Sequence, residues 1–223
     1  LNSQRLFYQL HGLFGTALST NASDLAKAAS SGAGEANYLT AANVATARAL
    51  LGERGDELDT LIVHPNVGFY LYQVGLLTFS TSSLTSGGAV TWGGGGVGVN
   101  ARSIGQFAGM NVIMDSQVNA VQPGASGHIK EYYCYLVKSG TILEGVQQDL
   151  RIEADRNVLS KQDVLSVDYH TCYHVMGTKW GDASDNPTNS LLGNKDKWTA
   201  TYDADLIPMV QLTVNTPLDT TTL

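Results

Sequence analysis

Two stretches near the start of the chain show the apolar periodicity of amphipathic helices. In LNSQRLFYQLHGLFGTALS, residues 1–19, apolar residues three and four positions apart form one stripe, which predicts a helix. In YLTAANVATARALLGERGDE, Thr40 stands at an N-cap position and Gly52 at a left-handed C-cap position. We therefore predict a second helix over about 41–51, and between the two helices a single helical turn over 24–29.

Short continuous apolar runs predict buried strands farther along the chain. Residues 61–64 form such a run, which Pro65 ends, and the following segment, NVGFYLYQVGLL, predicts a third helix. The inward face of that helix is predicted to carry Val67, Tyr70, Leu71 and Val74. The runs MNVIMD at 110–115 and IPMVQLTVN at 207–215 predict two further buried strands.

Residues 128–180 are dominated by β-branched and aromatic side chains, with turn signals at KSG and near 156–163. This composition predicts long antiparallel strands. Helices and short buried strands from about 38 to 125 form a separate block, which the last apolar strand is expected to rejoin. The fold class that the pattern predicts is therefore α+β.

Composition narrows the function classes without identifying one. The chain has 223 residues, of which 43% are hydrophobic and 15% charged, and no apolar run approaches the length of a bilayer span. We therefore expect a folded protein without a membrane association. The net charge of -7 disfavours a nucleic-acid-binding protein that acts through a global basic field. A helical start without Met indicates that residues precede Leu1.

A glycine-rich stretch, TWGGGGVGVNARSIGQFAGMNVIMD, contains the spacing G-x-G-x-x-G at Gly93, Gly95 and Gly98, and Asp115 closes the apolar run that follows. A dinucleotide site needs a buried strand before these glycines and a helix opening at the last one. The preceding segment is polar, and the following one lacks an apolar helical stripe. The sequence favours a loop over a nucleotide cradle, and we expect no cofactor.

Histidine and cysteine side chains in DYHTCYHVM form a candidate metal site. On a strand, His170, Cys172 and His174 would project to one face, and zinc prefers imidazole and thiolate ligands. No fourth ligand is evident nearby, so the favoured alternative is a two-sided strand in a sheet, without a metal. The opposite face would then carry a partly buried strip of Tyr169, Thr171 and Tyr173.

The chain has two cysteines, Cys134 and Cys172, which are too few for a disulfide framework. The sequence favours two buried free thiols in a reducing compartment, and a disulfide between them is the alternative.

Charged residues in DLRIEADRN form a second candidate site. Glu153 and Asp155 alternate on one strand face, with Arg151 and Arg156 nearby. Two carboxylates perform acid/base catalysis only where a pocket separates their pKa values. An ion-pair network on a strand or between subunits is the simpler interpretation, and we predict no catalytic residue.

The order of several segments resembles that of the major capsid proteins of tailed bacteriophages, whose Hong Kong 97-like fold is shared with encapsulin shells. In LTAANVATARALLGERGDELDTLIVHPNVGFYLYQVGLL, a capped helix leads to an apolar strand ending in His-Pro and then to a second helix. The later similar pieces are IGQFAGMNVIMDSQV, YYCYLVKSGTILEG, DLRIEADRNVLSKQDVLSVDYHTCYHVMGTKW and KWTATYDADLIPMVQLTVN. Together these segments span most of residues 38–215.

The resemblance implies two interleaved domains. Residues 1–37 would hold the spine helix of a peripheral domain and its connection, and 128–185 the long antiparallel strands of that domain. Residues 38–127 would form an axial domain, a short sheet flanked by helices, which 186–223 would rejoin before a C-terminal tail. The glycine stretch would be a loop of the axial domain. The N-terminal arm and extended loop of the family have no counterpart after Leu1, so their cross-linking and cleavage chemistry is not carried over.

The resemblance also implies a function, that of a structural subunit of an icosahedral virion capsid and not of an enzyme. Copies assembled in the host cytoplasm would form pentamers and hexamers around double-stranded DNA, which they would contact weakly and without sequence preference. Portal, scaffolding and decoration proteins would be further partners. Candidates for ion pairs between subunits are Arg151, Glu153, Asp155 and Arg156.

Two alternative functions stay open at this point. An encapsulin-like cellular shell would differ from a virus capsid by enclosing protein cargo. A metal- or nucleophile-dependent hydrolase would use His170, Cys172 and His174, and replacement of His174 would then abolish its activity.

Overall fold

The computed structural model describes residues 2–26, 35–77, 103–118, 120–121, 130–157, 161–184 and 186–219. The fold is mixed, with 33% helix and 38% strand, which confirms the predicted α+β class. The chain divides into two compact units, Leu1–Ser139 together with Gly177–Leu223, and Gly140–Met176. The three glycines of the G-x-G-x-x-G spacing lie outside the described residues.

In the described ranges, helices alternate with strands as far as the helix Pro65–Gln73, and most of the strands follow that helix. The helices are α1 (Asn2–Gly15), α2 (Ala41–Ala49), α3 (Pro65–Gln73) and α4 (Asn189–Leu192). The strands are β1 (Ala22–Asp24), β2 (Thr60–Val63), β3 (Ser103–Phe107), β4 (Met110–Met114), β5 (Ala120–Val121), β6 (Glu131–Val137), β7 (Ile142–Asn157), β8 (Gln162–Val175), β9 (Thr178–Trp180), β10 (Trp198–Ala200) and β11 (Met209–Val214).

The larger unit is organised around one sheet with the strand order β1-β11-β6-β2-β4-β3, in which β5 also pairs with β6. The β1–β11 and β2–β4 pairs are parallel, and the remaining pairs are antiparallel. The last apolar strand, β11, therefore joins the same sheet as β2 and β4, as the sequence predicted.

Two segments differ from their predicted places. The sequence assigned 131–137 to the long strands, whereas β6 lies in the middle of the central sheet, between β11 and β2. Its nearly continuous apolar run, EYYCYLV, is typical of a strand covered on both faces. The helical turn predicted from residue 24 onward is also wrong at its start, because Ala22–Asp24 pairs in parallel with β11. A sheet edge outweighs a weak local helical preference.

The helix ends follow local side-chain chemistry. The Thr40 hydroxyl accepts a hydrogen bond from the Asn43 backbone N–H at 3.2 Å. Gly52 adopts a φ of 57°, the left-handed conformation predicted there, but α2 ends at Ala49 with Leu50 as its C-cap, and Gly52 begins a short 3-10 helix. At α3, the His64 ring nitrogen Nδ1 accepts from the Asn66 N–H at 3.2 Å. Helix α2 therefore begins at the predicted residue, whereas α3 begins at Pro65, one residue before its predicted start, and ends at Gln73.

A hydrophobic core lies between the sheet and helices α2 and α3. Val67, Tyr70 and Leu71 are buried in it, as predicted. Val74 is 51% exposed, so the prediction for that residue is wrong. Helix α3 ends at Gln73, and the chain turns at Gly75, whose φ is 71°. Val74 lies between the helix end and the turn, so it does not continue the buried face of the helix.

Helix α1 packs through aromatic side chains and one close backbone contact. The ring of Tyr135, on β6, lies 6.0 Å from the Phe7 ring and 5.8 Å from the Phe14 ring. A Cβ at Gly12 would lie 2.5 Å from the Leu192 carbonyl oxygen, which in turn accepts a hydrogen bond from the Trp198 indole at 2.8 Å. Glycine at this position therefore permits α1 to approach α4.

The buried centre of the sheet supplies a direct test of the core. Leu136 is fully buried on β6, whereas Leu206 is 53% exposed. We expect Leu136→Ala to lower the free energy of unfolding by about 2–5 kcal/mol in urea titrations, because it removes buried methyl groups and leaves a cavity. The same substitution at Leu206 is the control and should cost less than about 1 kcal/mol. Equal losses for the two variants would contradict this core.

An ion-pair cluster supplies a pH-dependent test. Lys138 Nζ lies 2.8 Å from Glu57 Oε2, and Arg54 Nε lies 3.3 Å from Glu57 Oε1. These two hydrogen bonds hold the pKa of Glu57 below its ordinary 4.5, and the bond from Lys138 has the larger effect. The folded state binds this proton less readily than the unfolded chain, so the stabilisation is present above pH 4.5 and is lost as the pH falls through the lowered pKa.

We therefore expect Glu57→Gln to melt below the wild-type protein at pH 7, with the difference in Tm closing at acid pH and shrinking in high salt. Thermal melts across this pH series check the expectation. A difference in Tm between the two proteins that widens as the pH falls would contradict a lowered pKa for Glu57.

Candidate functional site

The sequence-predicted site residues all lie on one long hairpin. Strands β7 and β8 pair antiparallel from Ile142 opposite Val175 to Asn157 opposite Gln162, and they form the smaller unit of the chain. The predicted residues on it are Arg151, Glu153, Asp155, Arg156, His170, Cys172 and His174.

The two faces of the hairpin can be assigned from β8. The register shifts between Val146 and Gln148 and between Gln148 and Arg151 each place an extra residue in β7, which has 16 residues against 14 in β8. Strand β8 has no extra residue in the ladder, so its successive side chains point to opposite faces of the hairpin. Each residue of β7 that is paired in the ladder lies on the same face as its partner in β8.

One face is predominantly polar. On β8 it carries His170, Cys172 and His174 toward the base and Ser166 and Asp168 toward the middle. On β7 the partners on this face include Arg151, Glu153 and Asp155. All of these side chains are exposed.

The histidine and cysteine side chains share a face but do not converge. At about 3.4 Å per residue, His170 and His174 lie about 14 Å apart along the strand, whereas zinc ligand atoms lie about 2.0–2.3 Å from the metal. Among the described residues, no group of three or more His, Cys, Asp or Glu side chains could hold a metal ion. The strand geometry therefore argues against zinc coordination by these three residues.

The charged candidates form ion pairs within the chain. Arg151 pairs with its neighbour Glu153 on the polar face, and Arg156 Nε lies 3.8 Å from Asp163 Oδ1 across the ladder. The Arg156 and Asp163 side chains are 74% and 88% exposed. Such exposed pairs contribute about 0–1 kcal/mol to stability. Glu153 and Asp155 are both exposed on the strand, so no burial gives them the different environments that an acid/base pair requires.

The two cysteines differ in environment. Both are free, as the sequence favoured, but Cys172 is exposed on the hairpin, so the expectation that both are buried is wrong. Burial raises the pKa of the Cys134 thiol, which makes that residue the less reactive of the two.

The opposite face of the hairpin is apolar along most of its length. We define the apolar hairpin face by its side chains on both strands: Val146, Leu150, Ile152, Ala154, Leu165, Val167 and Tyr169. Leu150 lies within the second register shift and is assigned to this face because it lines one shallow, open depression with Val146 and Tyr169. The large side chains of this face are 46–66% exposed.

The sequence pattern was not interpreted as predicting the apolar hairpin face as a site. It predicted Tyr169, Thr171 and Tyr173 to be partly buried in a sheet, whereas Tyr169 is 46% exposed and only the other two are partly buried. The signal was present, because Leu165, Val167 and Tyr169 alternate with polar residues. Alternation predicts a strand with one covered face, but it does not say that the cover comes from the same chain.

Comparisons with known proteins do not place the chain in a family, since no family model and no curated protein matches it. None of the helices in the described ranges is long and apolar enough to cross a membrane. The geometry of the hairpin is therefore the principal guide to function.

The spacing of His170, Cys172 and His174 can be tested through metal binding. We expect the wild-type protein to take up no stoichiometric Zn²⁺ in a chelator competition assay, and His174→Ala to behave identically, because the three side chains are too far apart to share one ion. Cys172→Ser is the matched control on the same face. One equivalent of zinc that is lost in both variants would contradict the strand geometry.

Proposed function

We propose that this chain is a structural subunit of an icosahedral virion capsid with the Hong Kong 97-like fold, and that it is not an enzyme. Copies of the chain would assemble into pentamers and hexamers that enclose double-stranded DNA. The observation that carries the proposal is the apolar hairpin face, whose six large side chains are about half exposed or more. A contiguous exposed apolar patch of this kind marks a surface that another molecule covers.

The order of the elements supports the same proposal. The capped helix α2, strand β2 with its His-Pro end, helix α3 and strand β4 follow one another as in the segments that resemble capsid proteins. The long strands and the returning strand β11 come next. This order is an argument from resemblance, and the mixed α+β fold is compatible with it.

The hairpin also provides the kind of contact surface that a closed shell requires. A closed shell is held by many symmetric contacts, each of moderate size, rather than by a single tight site. A long hairpin that exposes an apolar face provides such a contact. The encapsulin alternative makes the same demand, so the two are separated by what the particle contains.

The charge distribution is consistent with a weak contact to packaged DNA. The net charge is -7, and the hairpin unit contributes six acidic and three basic residues. DNA affinity rises with the number of phosphates that Lys and Arg neutralise, so an acidic subunit does not grip the duplex strongly. Portal, scaffolding and decoration partners remain predictions.

The hydrolase alternative receives less support. His170, Cys172 and His174 are spread along an exposed strand instead of meeting around one reacting atom. Nucleophilic catalysis requires a nucleophile and a base within hydrogen-bond reach of each other.

Electron microscopy and sedimentation of the full-length product from its natural source test the proposed function. We expect closed icosahedral particles whose content is double-stranded DNA. Particles that contain protein cargo instead of a genome would establish the encapsulin alternative. A stable monomer or small oligomer under all assembly conditions would contradict a shell of either kind.

A further inference from the structure

We propose that the apolar hairpin face is an interface between two copies of the chain, in which two hairpins pack face to face and antiparallel. The tip of each hairpin would lie over the base of the other. This inference deepens the proposed function and rests on it for the identity of the second molecule. It assigns the contact between copies of the chain to the apolar hairpin face and to an antiparallel orientation of the two hairpins.

The hairpin is incompletely packed within its own unit. A two-stranded hairpin is marginally stable in water, and independent stability requires further strands or a packed second layer. Within Gly140–Met176, the described residues form only the two strands and short connections, so this unit supplies no second layer. A second hairpin placed at the usual distance of about 10 Å between packed sheets would cover the apolar side chains.

The apolar hairpin face exposes a large surface. The side chains that dominate the face are Val146, Leu150, Ile152, Leu165, Val167 and Tyr169, each between 46% and 66% exposed. Their combined exposed area is smaller than the ~800 Å² that each partner contributes to a standard stable interface. Two copies of this face, together with the charged residues at its ends, would reach the lower end of the range for a specific interface, about 1,200 Å² in total.

The two ends of the apolar hairpin face carry opposite charges, from Glu144 at the base and Arg156 at the tip. Glu144 pairs with Tyr173 near the base, and Arg156 pairs with Asp163 near the tip; both pairs lie on the apolar side of β8. In an antiparallel two-fold arrangement, Glu144 of one copy approaches Arg156 of the other, and the contact occurs twice. Parallel stacking would place Glu144 against Glu144 and Arg156 against Arg156, which is repulsive.

Arg156 can accept such a second carboxylate. Its ion pair with Asp163 is long, at 3.8 Å, and its side chain is 74% exposed. Lys161 adds a second exposed positive charge beside the tip. The ends of the face are thus complementary to each other, which favours a second copy of this chain over an unrelated partner.

The main test compares two neighbouring residues on opposite faces. Leu165 is 66% exposed on the apolar hairpin face, and Val164 is 53% exposed on the polar face of the same strand. We expect Leu165→Asp to weaken self-association about tenfold or more in sedimentation velocity experiments over a concentration series, because it buries a carboxylate in the interface. Val164→Asp should change the association constant less than about threefold. Circular dichroism confirms that both variants are folded.

A charge exchange tests the orientation. Glu144→Arg and Arg156→Glu should each weaken association, and the double variant, which restores opposite charges across the interface, should recover most of the wild-type affinity. A double variant as weak as the sum of the single variants would overturn the antiparallel arrangement.

The outcomes separate this inference from the proposed function. If the protein forms closed particles and Leu165→Asp assembles as well as wild type, the interface is wrong and the capsid proposal survives. If the wild-type protein forms only a dimer that Leu165→Asp disrupts, the interface stands and the capsid proposal is wrong. Cross-linking of the apolar hairpin face to a different protein in native particles would overturn the second copy as its occupant.

Discussion

The structure depends on the burial of β6 between β11 and β2. This strand pairs with six consecutive residues of β11 on one side and with three residues of β2 on the other. It therefore joins a strand near the end of the chain to the parallel β2–β4 pair in the first half. Buried backbone groups must find hydrogen-bond partners, and a central strand with two neighbours satisfies them on both edges.

The same strand presents side chains to both layers of the larger unit. Tyr135 contacts the aromatic residues of α1, whereas Leu136 belongs to the core formed with α2 and α3. Burial also raises the pKa of the Tyr135 hydroxyl, so this phenol stays neutral. One strand thus determines where the helices pack, and the hairpin begins a few residues after it ends.

Much of the fold could be predicted from local signals. Thr40, Pro65 and Gly52 mark helix boundaries through capping and fixed backbone angles, which depend only on neighbouring residues. The place of β6 could not be predicted in the same way, because an apolar run indicates burial without indicating the partner strand. The short strand β1 was missed because its partner, β11, lies nearly two hundred residues away.

The candidate site shows the same limit. Alternation along β8 correctly placed His170, Cys172 and His174 on one side, but the distance along an extended strand prevents them from meeting. The more informative signal was the alternation of Leu165, Val167 and Tyr169 on the other side. The prediction covered only a partly buried strip of Tyr169, Thr171 and Tyr173, whereas Leu165, Val167 and Tyr169 are about half exposed or more in the single chain. An apolar face of this kind is covered when the chain assembles.

Hydrogen exchange tests the central claim, that a second copy completes the hairpin, most directly. Amide exchange would be measured for the dissociated chain and for the assembled protein. The account predicts that the amides of β7 and β8 exchange quickly in the dissociated chain and slow on assembly, while those of β6 are slow in both states. Hairpin amides that are as protected as those of β6 before assembly, or that do not slow on assembly, would contradict it.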